Sequence, residues 1–277
     1  MAPMPEGDRQ LVEAAKTGDR QALERLLAAH QGRIFSFGMK MCRDTEDAQD
    51  VVQETLIAAA RTLPEFRGAS SVSTWLYTIA RSFCIKKRRT SKFAPAHVLS
   101  LDDEAEQVAG LPHPDRGPEE DVAGRQVKSV LDEAIAALEP MYREVLVLRD
   151  VEGLSAPEVA EVMGLTIEAV KSRLHRARVA VRERVAPALG QADAASAPGA
   201  GCRDVVELFS RRLEGEIDGS ACADLEKHLE GCPTCRGRCD SLRSTLSLCK
   251  RAGEAPVPPA VERSVRLALQ SFLDARA

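Results

Sequence analysis

The apolar residues of this chain recur every three or four positions, which is the spacing of a helix and not of a strand. Asp44 is suited to cap a helix that runs to about Thr62. A second apolar stripe follows the loop 64–71 and ends in a basic run. Its inward positions are Val72, Trp75, Leu76, Ile79 and Phe83, with Trp75 expected in the core. No segment shows the alternation of a strand, so the pattern predicts an all-α protein.

A helix-turn-helix is predicted between residues 153 and 178. Ser155 and Glu158 have the spacing of a capping box at the start of a short helix. Gly164 is placed to end that helix, and Thr166 to cap a longer one. In such a motif the second helix enters the DNA major groove.

A helical wheel sorts the residues of this second helix. Val170, Leu174, Ala177 and Val181 form a narrow stripe that faces the core. The outward residues are expected to reach base edges, and the flanking cations to hold phosphates. The alternative is a basic surface helix without a DNA partner. The candidate DNA-binding residues are Glu168, Lys171, Ser172, Arg173, His175, Arg176 and Arg178.

Six of the eight cysteines lie between Cys202 and Cys249. Close spacing lets both thiolates of a Cys-x2-Cys pair reach one tetrahedral ion, and a histidine one helical turn earlier can face the same ion. The spacing therefore predicts a structural site for one zinc ion. Its ligands are Cys202, His228, Cys232 and Cys235. Cys222, Cys239 and Cys249 are left over; Cys239 could join a second thiolate site, or all three could be inert.

Cys42 and Cys84 lie in apolar surroundings, where we expect buried small hydrophobic residues. Val206, Phe209, Leu213, Ile217, Leu225 and Leu229 are expected to build a small core around the metal.

Length and charge divide the chain. At 277 residues, two or three small domains are expected. The net charge of -4 is segregated: residues 81–92 hold six bases and no acid, whereas residues 98–121 hold eight acids and one base. The stretch 189–201 is rich in small residues and reads as a flexible linker. No apolar run approaches the roughly 20 residues of a membrane span, and no signal peptide is evident. We expect a cytoplasmic protein without a membrane partner.

Two segments resemble the extracytoplasmic-function (ECF) sigma factors of bacterial RNA polymerase. Residues 47–55 and 66–81 are similar to sigma region 2, and residues 138–182 to region 4. The Cys-x25-His-x3-Cys-x2-Cys pattern resembles the zinc-binding anti-sigma domain. The resemblance implies region 2 over 8–95, an acidic linker over 96–122, region 4 over 123–187, a flexible linker over 188–201 and a zinc domain over 202–277.

The resemblance also assigns roles to residues. The acidic face, a solvated surface on residue pattern alone, would bind core RNA polymerase through Asp47, Asp50, Gln53 and Glu54. Region 4 would read the −35 element, and the acidic linker would thread toward the active-site cleft of the polymerase. Many relatives have Asn where this chain has Ser82. The −10 element would be melted and held by Phe66, Arg67, Ser70, Ser71, Ser82, Lys86, Arg88 and Arg89.

The resemblance implies a transcription initiation factor and not an enzyme. Its partners would be core RNA polymerase and promoter DNA, with an intramolecular contact between the zinc domain and the sigma domains. Whether the tail acts as a brake or as a metal or redox sensor stays open. The last apolar stripe could grip the sigma domains or pack on the zinc domain; it consists of Val261, Val265, Leu269 and Phe272.

Two other functions remain. A stand-alone helix-turn-helix regulator would use region 4 alone and would have no use for an acidic polymerase-binding face. A tail that stores or traffics metal would leave transcription unchanged when deleted.

Overall fold

The computed structural model describes residues 4–42, 44–93, 118–191, 202, 204–253 and 257–275. Within these ranges there is no strand, so the all-α prediction is confirmed. No helix in them is long and apolar enough to cross a membrane. The helices are α1 Glu6–Lys16, α2 Arg20–Cys42, α3 Thr45–Thr62, α4 Val72–Phe93, α5 Pro118–Ala136, α6 Pro140–Leu146, α7 Ala156–Met163, α8 Ile167–Val185, α9 Val205–Leu213, α10 Gly219–Gly231, α11 Pro233–Ala252 and α12 Pro259–Asp274.

The chain forms two compact units, residues 1–122 together with 255–277, and residues 123–254. In the first unit α2, α3 and α4 pack on one another, with α1 on α2. Phe37 and Tyr77 meet edge to face in its core, with ring centroids 5.5 Å apart. Gly38 lets α2 approach α3 closely, since a Cβ there would lie 3.3 Å from the Cα of Ala48.

The last helix, α12, packs against α3 of the first unit. Its inward residues Val261, Val265 and Leu269 are buried, as the apolar stripe predicts. Arg20 donates to Asp274 at 2.7 Å, which joins the end of α12 to the start of α2. Of the two placements left open by the sequence, this helix therefore lies in the first unit, against α3, and not on the cysteine-rich segment.

The second unit combines the helix-turn-helix with the cysteine-rich segment. A π-helical turn, Val147–Val151, follows α6 and leads to α7 and α8. Helices α9 and α11 pack on α8, and α11 also packs on the π-helical turn. Gly253 ends α11 so close to the carbonyl of Val151 that a Cβ there would clash with it.

Capping residues set where the two helices of the helix-turn-helix begin and end. Ser155 and Glu158 form the predicted capping box, in which the Ser155 amide donates to the Glu158 carboxylate at 2.9 Å. Gly164 ends α7 with a positive φ of 65°, and the Thr166 hydroxyl accepts from the Ala169 amide. The three predicted caps of this motif are therefore present.

Replacing Ser155 with alanine should lower the free energy of unfolding by about 1 kcal/mol. The Ser155 hydroxyl accepts a hydrogen bond from the Glu158 backbone N–H, which has no acceptor within the helix. Urea unfolding followed by circular dichroism measures the change. Ser220→Ala is the matched control, since Ser220 is exposed and its hydroxyl caps no amide. Equal losses in the two variants would contradict the role of the cap.

The prediction for one core residue of the tail, Leu213, is wrong. Val206, Phe209 and Leu225 are buried, and Ile217 and Leu229 pack against them. Leu213 is 45% exposed and is the last residue of α9. Cys235 and Cys239 complete this core.

Most of the two predicted linkers, residues 94–117 and 192–201, lies outside the described residues. The domain boundaries expected from the sequence stay a prediction.

Candidate DNA, polymerase and metal sites

The four predicted zinc ligands come together. The ligand atoms of Cys202, His228, Cys232 and Cys235 all lie within 4.8 Å of one another. The end of α10 carries His228, and the start of α11 carries Cys232 and Cys235. Two thiolates three residues apart at the start of a helix reach the same point, and the positive end of the helix dipole favours their charge.

The chemistry of this cluster fits a zinc ion. Nε2 of His228 is buried without a hydrogen-bond partner, a cost that a metal bond would remove. Burial raises the pKa of Cys235, so this thiol stays protonated unless a cation draws the proton off. Three sulfurs and one nitrogen make a closed set for tetrahedral zinc. Cys239 lies outside the cluster, with its sulfur 3.7 Å from the carbonyl oxygen of Val205.

The outward face of α8 is partly covered by α9 and the turn after it. His175 Nδ1 lies 2.7 Å from the Ser210 hydroxyl, and Nε2 lies 2.7 Å from a Glu216 oxygen. Lys171 pairs with the same carboxylate at 3.6 Å. Two residues predicted to face DNA are thus engaged by the cysteine-rich segment in this structure.

Arg178 is directed inward and not toward a DNA backbone, which corrects its expected position. Its side chain is 3% exposed, with two hydrogen bonds to Asp150 at 2.6 and 2.8 Å. It also donates to Glu214 at 2.8 Å, and Glu214 accepts from Arg149 at 3.2 Å. A planar guanidinium held by two carboxylates in a buried site makes a strong charge-assisted network.

The charge of Glu214 is secured by this network. Burial alone would raise its pKa, but the adjacent Arg178 and Arg149 outweigh burial and hold the pKa below the ordinary glutamate value. Glu214 therefore stays ionised inside the protein, and its stabilising effect is lost only as the pH falls through that lowered pKa.

The other candidate −35 residues remain on the surface. Glu168, Ser172 and Arg176 are exposed, and Arg176 donates to the Tyr142 hydroxyl at 3.3 Å. Arg173 is half-buried and donates to the Ala169 carbonyl at 3.3 Å.

The acidic face of α3 carries a cation from α4. Lys87 Nζ lies 3.1 Å from Asp47 and 2.5 Å from Asp50, and the hydrogen bond to Asp50 raises the pKa of Lys87. Gln53 and Glu54 are half-buried one turn further along. All four predicted polymerase-binding residues therefore lie on α3, in one stretch of less than two turns.

Phe66 departs from its expected role. It is 7% exposed and stacks on Trp75 with ring centroids 4.7 Å apart, so its ring belongs to the core and offers no face to a base. Ser71 caps the start of α4, where its hydroxyl accepts from the Thr74 amide at 3.1 Å. Trp75 is itself half-buried.

The other candidate −10 residues lie along the same loop and helix. Arg67 is exposed and Ser70 half-buried in the loop before α4. Ser82 is exposed, with its hydroxyl donating to the Ile79 carbonyl at 2.7 Å. Lys86 and Arg89 are exposed, and Arg88 is half-buried.

Sequence reasoning missed the acidic residues that face α8. Asp150 and Glu214 are 28 and 36 positions from Arg178 in the sequence, and Glu216 is 41 positions from His175. No motif marks them. The only available signal was the presence of two acids around Gly215, in a turn after a short amphipathic helix.

Three family models match the chain: "Sigma-70 region 2" over residues 26–93, "Sigma-70, region 4" over 128–181 and "Putative zinc-finger" over 202–236. The region 2 match disfavours a stand-alone helix-turn-helix regulator. RNA polymerase sigma-H factor of Pseudomonas aeruginosa is 32% identical over 191 residues, covering 68% of this chain and 98% of that protein. ECF RNA polymerase sigma-E factor of Escherichia coli K12 is 30% identical over 184 residues, covering 65% and 95%.

The solved structure of CnrH in complex with the cytosolic domain of CnrY is 27% identical and aligns with a TM-score of 0.45, covering 64% of this chain and 95% of that one. At this score the likeness carries no weight, and the sequence relatives and family models decide the assignment. The chain belongs to the ECF sigma factors, which direct bacterial RNA polymerase to specific promoters, and it carries a zinc-finger segment after region 4.

Proposed function

We propose that this sigma factor is held inactive by its own C-terminal tail, which covers the helix that reads DNA and packs on the helix that binds polymerase. The observation that carries the proposal is the pair Glu214 and Glu216, which engages Lys171, His175 and Arg178 of α8. Lys171 and His175 belong to the expected DNA-reading set, and Arg178 holds the same helix from its inner side. Carboxylates on such a helix take the places of phosphates and repel the DNA backbone.

The active form binds core RNA polymerase through Asp47, Asp50, Gln53 and Glu54. Support comes from their common face on α3 and from the match to sigma region 2. The loop before α4 and the basic residues along α4 then hold the opened −10 element. The exposed side chains of Arg67, Lys86 and Arg89 suit that role, whereas Phe66 anchors the loop by stacking on Trp75.

The −35 element is read by the exposed residues Glu168, Ser172 and Arg176, which point away from the buried stripe of α8. Lys171 and His175 join them once the tail is displaced. Arg178 acts through Asp150, and positions α8 against the π-helical turn instead of touching DNA.

Zinc holds the tail in its inhibitory shape. The ion would be bound by Cys202, His228, Cys232 and Cys235, and it would supply the cross-link that a small core cannot supply alone. These ligands join the segment before α9 to the junction of α10 and α11. The bonds therefore fix α9, and with it Ser210 and the turn that carries Glu214 and Glu216.

The helix α12 provides the second inhibitory contact. Arg61 lies seven residues after Glu54, so it continues the acidic face of α3 by two turns. Its guanidinium lies over the Phe272 ring, 5.5 Å from the centroid. A helix seated there competes with any partner that docks along this face.

Run-off transcription with core polymerase tests the proposal. A chain ending at Gly190 should yield about ten-fold more promoter-dependent transcript than the full chain, because both inhibitory contacts are gone. A promoter with scrambled −10 and −35 elements is the control. No product from the shortened chain would refute the assigned polymerase and DNA roles, and equal product from both chains would refute the inhibition.

A further inference from the structure

The first unit contains a pair of thiols that lies outside the cysteine-rich tail. Cys42 is the last residue of α2, and Cys84 lies in the middle of α4. Their sulfur atoms are 3.8 Å apart. Cys84 is 5% exposed, whereas Cys42 is half-buried at the surface. One thiol is thus open to a small reagent, and the other lies directly behind it.

The surroundings favour reaction at Cys42. The hydrogen bond between the two thiols lowers the pKa of Cys42 against the opposing effect of burial, and Lys87 also lowers it. A lower pKa increases the fraction of thiolate, which is the form that attacks an oxidant. Asp44 and Asp47 oppose this effect from the start of α3. The geometry resembles that of an attacking thiol with a resolving thiol in reach.

We propose that Cys42 and Cys84 form a reversible disulfide when the protein meets hydrogen peroxide, so that the polymerase-binding unit carries its own redox site, separate from the zinc site. The Cys42 thiolate attacks the peroxide, the O–O bond breaks, and Cys42 becomes a sulfenic acid as water leaves. The Cys84 thiolate then attacks that sulfur and releases a second water. The two thiols lose two electrons and two protons, and the peroxide takes up both.

The position of this pair links it to the predicted polymerase-binding face. Lys87 follows Cys84 by three residues on α4 and therefore lies on the same side of that helix. It pairs with Asp47 and Asp50. A disulfide would join the end of α2 to α4 beside this ion pair.

Peptide mapping of the zinc-loaded full chain tests the inference. After treatment with hydrogen peroxide, alkylation and trypsin, the peptides Met41–Arg43 and Ser82–Lys86 should appear as one linked species, lighter than their sum by two hydrogen atoms. The free alkylated forms should fall to a small fraction of their reduced level. Dithiothreitol should restore them.

Two variants make the result specific. In Cys84→Ser a sulfenic-acid reagent should label Cys42, because no resolving thiol is present, and in Cys42→Ser the peptide Ser82–Lys86 should stay unlabelled. Cys222→Ser is the matched control and should form the link like the parent. Absence of the link in the parent, with Cys42 unmodified or oxidised alone, would overturn the inference; links from either thiol to tail cysteines would overturn it as well.

Discussion

Replacing Glu214 with lysine should release the tail from α8 and raise transcription from the cognate promoter several-fold, but by less than removal of the whole tail. Glu214 is 3% exposed and bridges Arg178 and Arg149. The lysine would place a third cation in this buried site, and breaking a buried ion pair in this way costs about 3–5 kcal/mol. The cost falls on the closed form alone, because Glu214 is hydrated once the tail has moved away. Run-off transcription with the full-length variant measures the effect.

Glu226→Lys is the matched control for this charge reversal. Glu226 also pairs with an arginine, Arg212, but both side chains are exposed, so the change should alter transcription little. Gly253→Ala loosens the tail in the same unit without altering a charge, because its Cβ would clash with the carbonyl of Val151 in the π-helical turn on which α11 packs. Both release variants should retain zinc. If neither raises transcription while zinc content stays at the parental level, the contact with α8 is not inhibitory.

Replacing Cys232 with serine should remove most of the zinc bound per chain and loosen the tail. Structural zinc contributes about 10–16 kcal/mol of binding free energy in small domains, and a hydroxyl is a poor substitute for a thiolate ligand. We expect metal content near one ion per chain in the parent and close to zero in the variant. Elemental analysis after dialysis measures it, and protease digestion of residues 202–253 reports the loosening.

The control for this substitution lies in the same helical segment. Cys222 is half-buried on α10 and stands outside the ligand cluster, so Cys222→Ser should keep the full zinc content. Equal zinc in Cys232→Ser and the parent would remove Cys232 from the ligand set.

Local signals allowed much of this protein to be predicted. Asp44, Ser155 and Thr166 act on amides three residues away, so the sequence alone identifies them as caps. The zinc ligands are predictable for a similar reason, since Cys232 and Cys235 lie within one helical turn and His228 precedes Cys232 by four residues. Periodicity then sorted the buried stripe of α8 from its exposed face.

What could not be predicted depends on contacts between distant segments. A helical wheel places Arg178 beside the core stripe but does not show that Asp150 and Glu214 accept its hydrogen bonds there. The sequence places Phe66 in an exposed loop, whereas in the structure its ring stacks on Trp75. Leu213 fits an apolar pattern, yet it ends α9 and is 45% exposed.

The tail is divided between the two units, with α9 to α11 in one and α12 in the other, and six residues, 253–258, connect α11 to α12 in the chain. Under the proposed inhibition, a signal that opens one contact leaves the other to keep the tail nearby, and the opened contact re-forms quickly. Loss of one contact then gives partial transcription, and full transcription requires both contacts to open. Such a sigma factor would respond in two steps, with a modest output when a signal opens one contact and full output when both open.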